Sequence, residues 1–106
     1  MDVDKLNINS LKSEFSKYRK DLLHLNEYMY KNPELGYQEV NSVDKITKLI
    51  KKHVLDTKYK KFSNIPTAFT ASINKRVGKK NIAICIEYDA LPNVGHACGH
   101  NLISSI

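Results

Sequence analysis

The stretch Asn81-Ile82-Ala83-Ile84-Cys85-Ile86-Glu87-Tyr88 is apolar without interruption through its centre. A strand with one wet face alternates apolar and polar residues. A continuous run asks for cover on both faces. Whatever this chain folds into must therefore lay structure on either side of residues 81–88. With 106 residues there is material for one small domain at most.

The cover has to come from upstream. Leu11, Phe15, Tyr18, Leu22, Leu25 and Met29 recur at intervals of 4, 3, 4, 3 and 4, one stripe along a helix. The spacing predicts a helix over about 10–31, stopped at Asn32-Pro33 because the residue before proline avoids the helical region. Pro33-Glu34-Leu35-Gly36 reads as a turn. Val40, Val43, Ile46, Leu49 and Ile50 then mark a second helix over about 37–53, whose lysines gather toward its C-terminal end. Residues 54–62 read as a weak strand, Asn64-Ile65-Pro66 as a break and residues 67–73 as a second strand. Asn74 to Lys80 should form an exposed hairpin connection into the strand at 81–88. The order predicts an α/β domain: two helices packed on a mixed sheet of about three strands. Residues 1–9 are polar and read as a disordered tail.

Charge and composition narrow the function classes. The net charge is +6, but of its seventeen cations only Arg19 and Arg76 are arginines. Readers of base edges and bidentate phosphate clamps favour arginine, so nucleic acid is not the expected partner. No apolar run approaches the roughly 18 residues of a membrane span. The acidic start Met1-Asp2-Val3-Asp4 lacks a signal-peptide core, and two cysteines make no disulfide framework, so the expected compartment is the reducing cytoplasm. Cys85, His24 and His53 read as ordinary: a small buried hydrophobe and two helix-surface imidazoles.

The chemistry concentrates just past residue 88. Asp89 ends the strand, and Gly95-His96-Ala97-Cys98-Gly99-His100-Asn101 follows after a turn at Asn93. Ligands in open α/β sheets gather beyond the carboxyl ends of strands. His96, Cys98 and His100 offer imidazole and thiolate, the donors preferred by zinc and similar metals. The flanking glycines let the backbone bend so that two of them can face one site. Asp89 can accept the second N–H of a ligating histidine and fix its tautomer. From the residues alone three readings stay open: metal binding, a nucleophilic Cys98 paired with a histidine, and a structural cluster in which Asp89 merely caps a turn.

Glu87-Tyr88-Asp89-Ala90-Leu91-Pro92 followed by Gly95-His96-Ala97-Cys98-Gly99-His100-Asn101 resembles the metal-site signature of the aminoacylase and carboxypeptidase-like zinc amidohydrolases. That branch includes hippurate hydrolase, p-aminobenzoyl-glutamate hydrolase and aminoacylase-1-like dipeptidases. Asn32-Pro33-Glu34-Leu35-Gly36-Tyr37-Gln38-Glu39 is similar to the family's segment after its first helix, and Pro66-Thr67-Ala68-Phe69 to its first sheet segment. The likeness runs in order from about residue 10 to 106.

The resemblance implies the N-terminal part of a phosphorylase/hydrolase-like zinc-peptidase catalytic domain, residues 10–106. Cys98 and His100 match two ligands of a site for two zinc or manganese ions, and Asp89 matches the family's catalytic aspartate. His96 and Glu87 carry no implied ligand role. The implied reaction is hydrolysis of the amide bond of an N-acyl amino acid or dipeptide, with a glutamate as general base. That glutamate pair, further histidine ligands and the lid domain used in homodimerisation come later in such chains. The 106 residues alone are therefore expected to be inactive. A non-catalytic metal-binding or protein-interaction module that keeps half a site is the competing expectation.

Overall fold

A computed structural model describes residues 7–73 and 80–106. Six elements follow in order: α1 (Ile8–Ser16), α2 (Arg19–Lys31), α3 (Val40–His53), β1 (Lys58–Phe62), β2 (Ile65–Ser72) and α4 (His100–Ile103). The class is mixed α/β. The sheet has two antiparallel strands, with Lys58 facing Ser72 and Lys61 facing Phe69, and an irregularity at Lys61–Phe62.

The single helix expected over 10–31 is two. At the junction the amides of Lys17 and Tyr18 reach back only three residues, to the carbonyls of Glu14 and Phe15 at 3.2 and 3.0 Å. The turn tightens there and redirects the chain. A physical cause is visible in the burial. α1 buries no side chain, and its stripe residues Leu11 and Phe15 are each 51% exposed. Tyr18 instead turns edge-on to His53 on α3, with ring centroids 4.9 Å apart. The stripe is continued only in α2, where Leu25 and Met29 are buried. α1 begins at Ile8, with the Asn7 side chain accepting the Asn9 amide at 2.9 Å.

α3 starts at Val40 rather than near 37, because Tyr37 adopts a left-handed backbone (φ 68°). Its first turn is capped from outside the helix. One Glu34 oxygen accepts the Ser42 amide and hydroxyl, both at 2.6 Å; the other accepts the Asn41 amide at 3.0 Å and side-chain amide at 3.2 Å. These bonds satisfy donors that a helix start leaves free. Burial raises the Glu34 carboxyl, but the Ser42 and Asn41 bonds outweigh it and hold the group below its ordinary range. At the other end of α3, Lys52 and His53 both reach Asp21 on α2 at 2.7 Å. His53 thus has a partner remote in sequence, which its helical surroundings did not suggest.

Leu25, Met29 and Ile46 form the core, with Tyr28, Leu49, Ile50, Phe69, Ile86 and Tyr88 packed around them. α3 packs on β2, while α2 packs on α3 and α4. Both helices were expected to lie on the sheet, but a two-stranded hairpin offers a face for only one. The predicted break at Asn64-Ile65-Pro66 is a two-residue turn, Ser63–Asn64, inside the β1–β2 hairpin. The hairpin connection expected at Asn74 to Lys80 lies almost wholly outside the described residues.

The largest departure concerns residues 81–88, which form no strand. Ile82 and Ile84 are 94% and 85% exposed, and Cys85 is exposed rather than buried. A strand needs a ladder partner, and the chain's end is drawn elsewhere. The Ala90 amide donates to the Glu34 carbonyl at 2.7 Å, in a parallel bridge between Leu35 and Ala90. Tyr88 reaches β2 only through its side chain, stacking near Phe69 and donating its hydroxyl to the Thr67 carbonyl. Among the described residues the backbone between 81 and 87 has no ladder partner.

Candidate metal-binding loop

The loop after residue 88 is shaped by three left-handed residues: Asn93 (φ 66°), Gly95 (φ 61°) and Gly99 (φ 81°). Two of the three are glycine, the residue that enters this region at no steric penalty. The first bend closes through the Leu91 amide on the Gly95 carbonyl at 2.9 Å. The second places Gly99 at the start of α4, whose first residue is His100. α4 is then fastened to α2: the buried Asn101 side-chain amide donates to Asn26 Oδ1 at 2.7 Å, and the Ser104 hydroxyl lies 3.3 Å from Met29 Sδ. On the opposite flank, the bond from Ala90 to Glu34 ties the loop to the residues that cap α3.

This scaffold brings Asp89, Cys98 and His100 together. His100 Nδ1 lies 2.8 Å from Asp89 Oδ1 and 3.1 Å from the Asp89 carbonyl oxygen. A carbonyl can only accept, so Nδ1 carries the proton. In the neutral ring the lone pair then sits on Nε2, the arrangement a ligating histidine uses. Nε2 here faces Glu87 Oε2 at 3.2 Å, on a side chain that is mostly exposed, so a metal at Nε2 would have to displace that carboxylate. The Cys98 thiol donates to the Asp89 carbonyl at 3.6 Å. No hydrogen bond from it to a histidine ring nitrogen is present among the described residues.

His96 does not join the group. It is buried, and both of its ring nitrogens lack a partner among the described residues. Burial, then the neighbouring His100, holds it below the ordinary histidine range. Tyr88, half-buried, has its hydroxyl pushed up by burial and then by Glu39 and Asp89.

The donor chemistry of Cys98 and His100 suits a zinc-type ion, and the Asp89 contact is the kind that orients such a histidine. The set is incomplete: among the described residues no three His, Cys, Asp or Glu side chains converge on one point that could hold a metal ion. A catalytic zinc site takes three protein ligands and an open position. The Glu87–His100 contact and the capping role of Glu34 are the parts of this region that motif reading missed. For Glu34 a signal existed, an acidic residue shortly before a helix start.

No helix among the described residues is long and apolar enough to cross a membrane. No family model matches the chain. It is similar to the Xaa-Arg dipeptidase of Mus musculus, 33% identical over 89 residues that cover 77% of this chain and 21% of that protein. The Homo sapiens Xaa-Arg dipeptidase is 29% identical over 92 residues, with the same shares covered. The N-acetyldiaminopimelate deacetylase of Oenococcus oeni is 30% identical over 98 residues, 78% of this chain and 26% of that protein. The chain thus spans about a fifth to a quarter of the length of these relatives. These likenesses support kinship with the peptidases and amidohydrolases.

Proposed function

We propose that this chain supplies the N-terminal part of a metal-dependent amidohydrolase of the aminoacylase-1-like dipeptidase branch. Cys98 and His100 are the ligands it contributes to a site for two zinc or manganese ions, and Asp89 holds His100 in the ligating tautomer. The substrate class is a small N-acyl amino acid or dipeptide, and the compartment is the cytoplasm. The observation that carries the reading is the pinning of His100 Nδ1 by Asp89, 2.8 Å away, beside the Cys98 thiol.

The metal would supply Lewis acidity toward the amide carbonyl. The chain's own residues do three things. Asp89 orients His100, Gly99 sets the bend that starts α4, and the Asn101–Asn26 bond keeps that helix against α2. Among the described residues no third donor joins them, so on this reading the remaining ligands and the general base come from outside this set. The same incompleteness favours the second reading, a non-catalytic metal-binding or interaction module.

A chimera separates the two. The 106 residues replace the matched part of the Oenococcus oeni deacetylase, and hydrolysis of N-acetylated amino acids is measured with added zinc. The amidohydrolase reading expects turnover by the chimera, loss of at least about 10-fold in its Cys98→Ala and His100→Ala variants, the cost of removing even an outer-shell partner, and no turnover by the isolated chain. A folded, zinc-loaded chimera without turnover supports the module. Zinc-supported turnover by the isolated chain contradicts the incompleteness of the site.

A further inference from the structure

We infer that Glu34 is a positioning residue for the metal donors: its carboxylate fixes the turn Pro33–Gly36 to the start of α3, and that turn holds Asp89 where it orients His100. The inference deepens the reading of Cys98 and His100 as metal donors and rests on it. Glu34 makes two sets of contacts. Its carboxylate accepts four donors from the first turn of α3, two from Asn41 and two from the fully buried Ser42. Its carbonyl accepts the Ala90 amide at 2.7 Å, and the next residue, Leu35, forms a parallel bridge with Ala90.

The residues beside Glu34 extend the contact. A side chain at Gly36 would begin 3.9 Å from Asp89 Oδ2, and one at Gly95 would begin 3.7 Å from the Pro33 ring. The turn thus meets the loop at residues 89, 90 and 95. Cys98 and His100 are anchored elsewhere, through the bond of Asn101 to Asn26 on α2. Asp89 joins the two anchorages. Its Oδ1 lies 2.8 Å from His100 Nδ1, and its carbonyl oxygen takes the Cys98 thiol and the same His100 nitrogen. Hydrogen bonds hold only over a narrow range of distance, so Asp89 can pin His100 only while both anchorages stand. A side-chain cap usually satisfies one donor of a helix start. The Glu34 carboxylate satisfies two backbone amides and two side chains, which fixes residue 34 itself, with the carbonyl that Ala90 uses. Releasing the carboxylate should therefore free Asp89 while leaving Cys98 and His100 on α2.

Long-range proton–nitrogen spectra of the metal-free full chain, at a pH where the imidazoles are neutral, read the His100 tautomer. The expected result is the Nδ1–H form in the wild type and a mixture of both neutral forms in Glu34→Ala. Ser42→Ala makes the same test without touching residue 34. Ser42 has no hydrogen bond to the loop among the described residues, so a change that this variant causes at His100 passes through Glu34. It should shift the tautomer the same way, by less. Ile50→Ala, packed on the core farther along α3, is the stability control and should keep the wild-type tautomer. Cobalt(II) titration gives a second readout. Glu34→Ala should keep the thiolate band but bind about tenfold more weakly, the low end for losing an outer-shell partner. A wild type without the Nδ1–H form, wild-type spectra in both Glu34→Ala and Ser42→Ala, or an equal shift in Ile50→Ala would each overturn the role of Glu34. The tautomer needs no metal, so the two readings fail separately: cobalt bound to the wild type without a thiolate band overturns the donor assignment itself.

Discussion

Ala90 and Ile84 lie six residues apart in the sequence. Ala90 is 3% exposed and Ile84 is 85% exposed. By composition the order should be the reverse, since Ile84 is the centre of the most apolar run in the chain. What separates them is partners. Around Ala90 the backbone is bonded to Glu34, Tyr88 reaches Thr67, and α4 is tied to α2 through Asn101. Around Ile84 no described residue pairs with the backbone, and the side chain stays exposed. The loop carrying Asp89, Cys98 and His100 belongs to the first region, which is why it holds a defined geometry.

The contrast can be broken at the core that supports the pinned region. Met29 is fully buried and touches both Ser104 and the Leu25–Ile46 cluster. Met29→Ala should cost about 2–5 kcal/mol, a large share of the stability of a domain this size, and urea unfolding followed by circular dichroism reads it. Glu34→Ala removes four bonds at the start of α3 and should cost about 1–2 kcal/mol. The same group gives a pH signature. Its carboxyl is held below the ordinary range, so its contribution is fully present above the unfolded glutamate pKa. It is lost as pH falls through the lower folded value, on the acid side of the ordinary glutamate range. Stability measured against pH should show this acid loss in the wild type and a flatter profile in Glu34→Gln. At Gly99 a side chain meets open space but the backbone sits at φ 81°, so Gly99→Ala should cost about 1–2 kcal/mol by backbone strain alone. Smallest of all, Ile84→Ser should change the unfolding free energy of the separate chain by less than about 0.5 kcal/mol. A large effect there would mean that the apolar run is buried after all.

Periodicity located α2 and most of α3, because the faces it marks are buried by each other. It could not show that Leu11 and Phe15 lack a surface to cover, and so predicted one helix where the chain makes two. The turn at Ser63–Asn64 carries no glycine, so the sequence marks the break one residue late, at Asn64-Ile65-Pro66. The run at 81–88 was legible as strand-forming but not as unpaired, since pairing is a property of neighbours and not of the run. The loop at 89–101 is marked by local features: glycines at the bends, a carboxylate before them and soft donors between them. The structure brings Asp89, Cys98 and His100 into contact. The anchoring of that loop through Glu34, Asn26 and Asn101 was not read, because those bonds join residues up to 75 apart.

The central claim is that Cys98 and His100 are metal donors on a loop that is already shaped. Titration with cobalt(II), followed by ultraviolet and visible absorption, tests it most directly, because a thiolate bound to cobalt gives a charge-transfer band that nitrogen and oxygen donors do not. The account predicts this band in the wild type, its loss in Cys98→Ala, and a weakened, altered spectrum in His100→Ala. A spectrum that is the same in the wild type and in Cys98→Ala would contradict it.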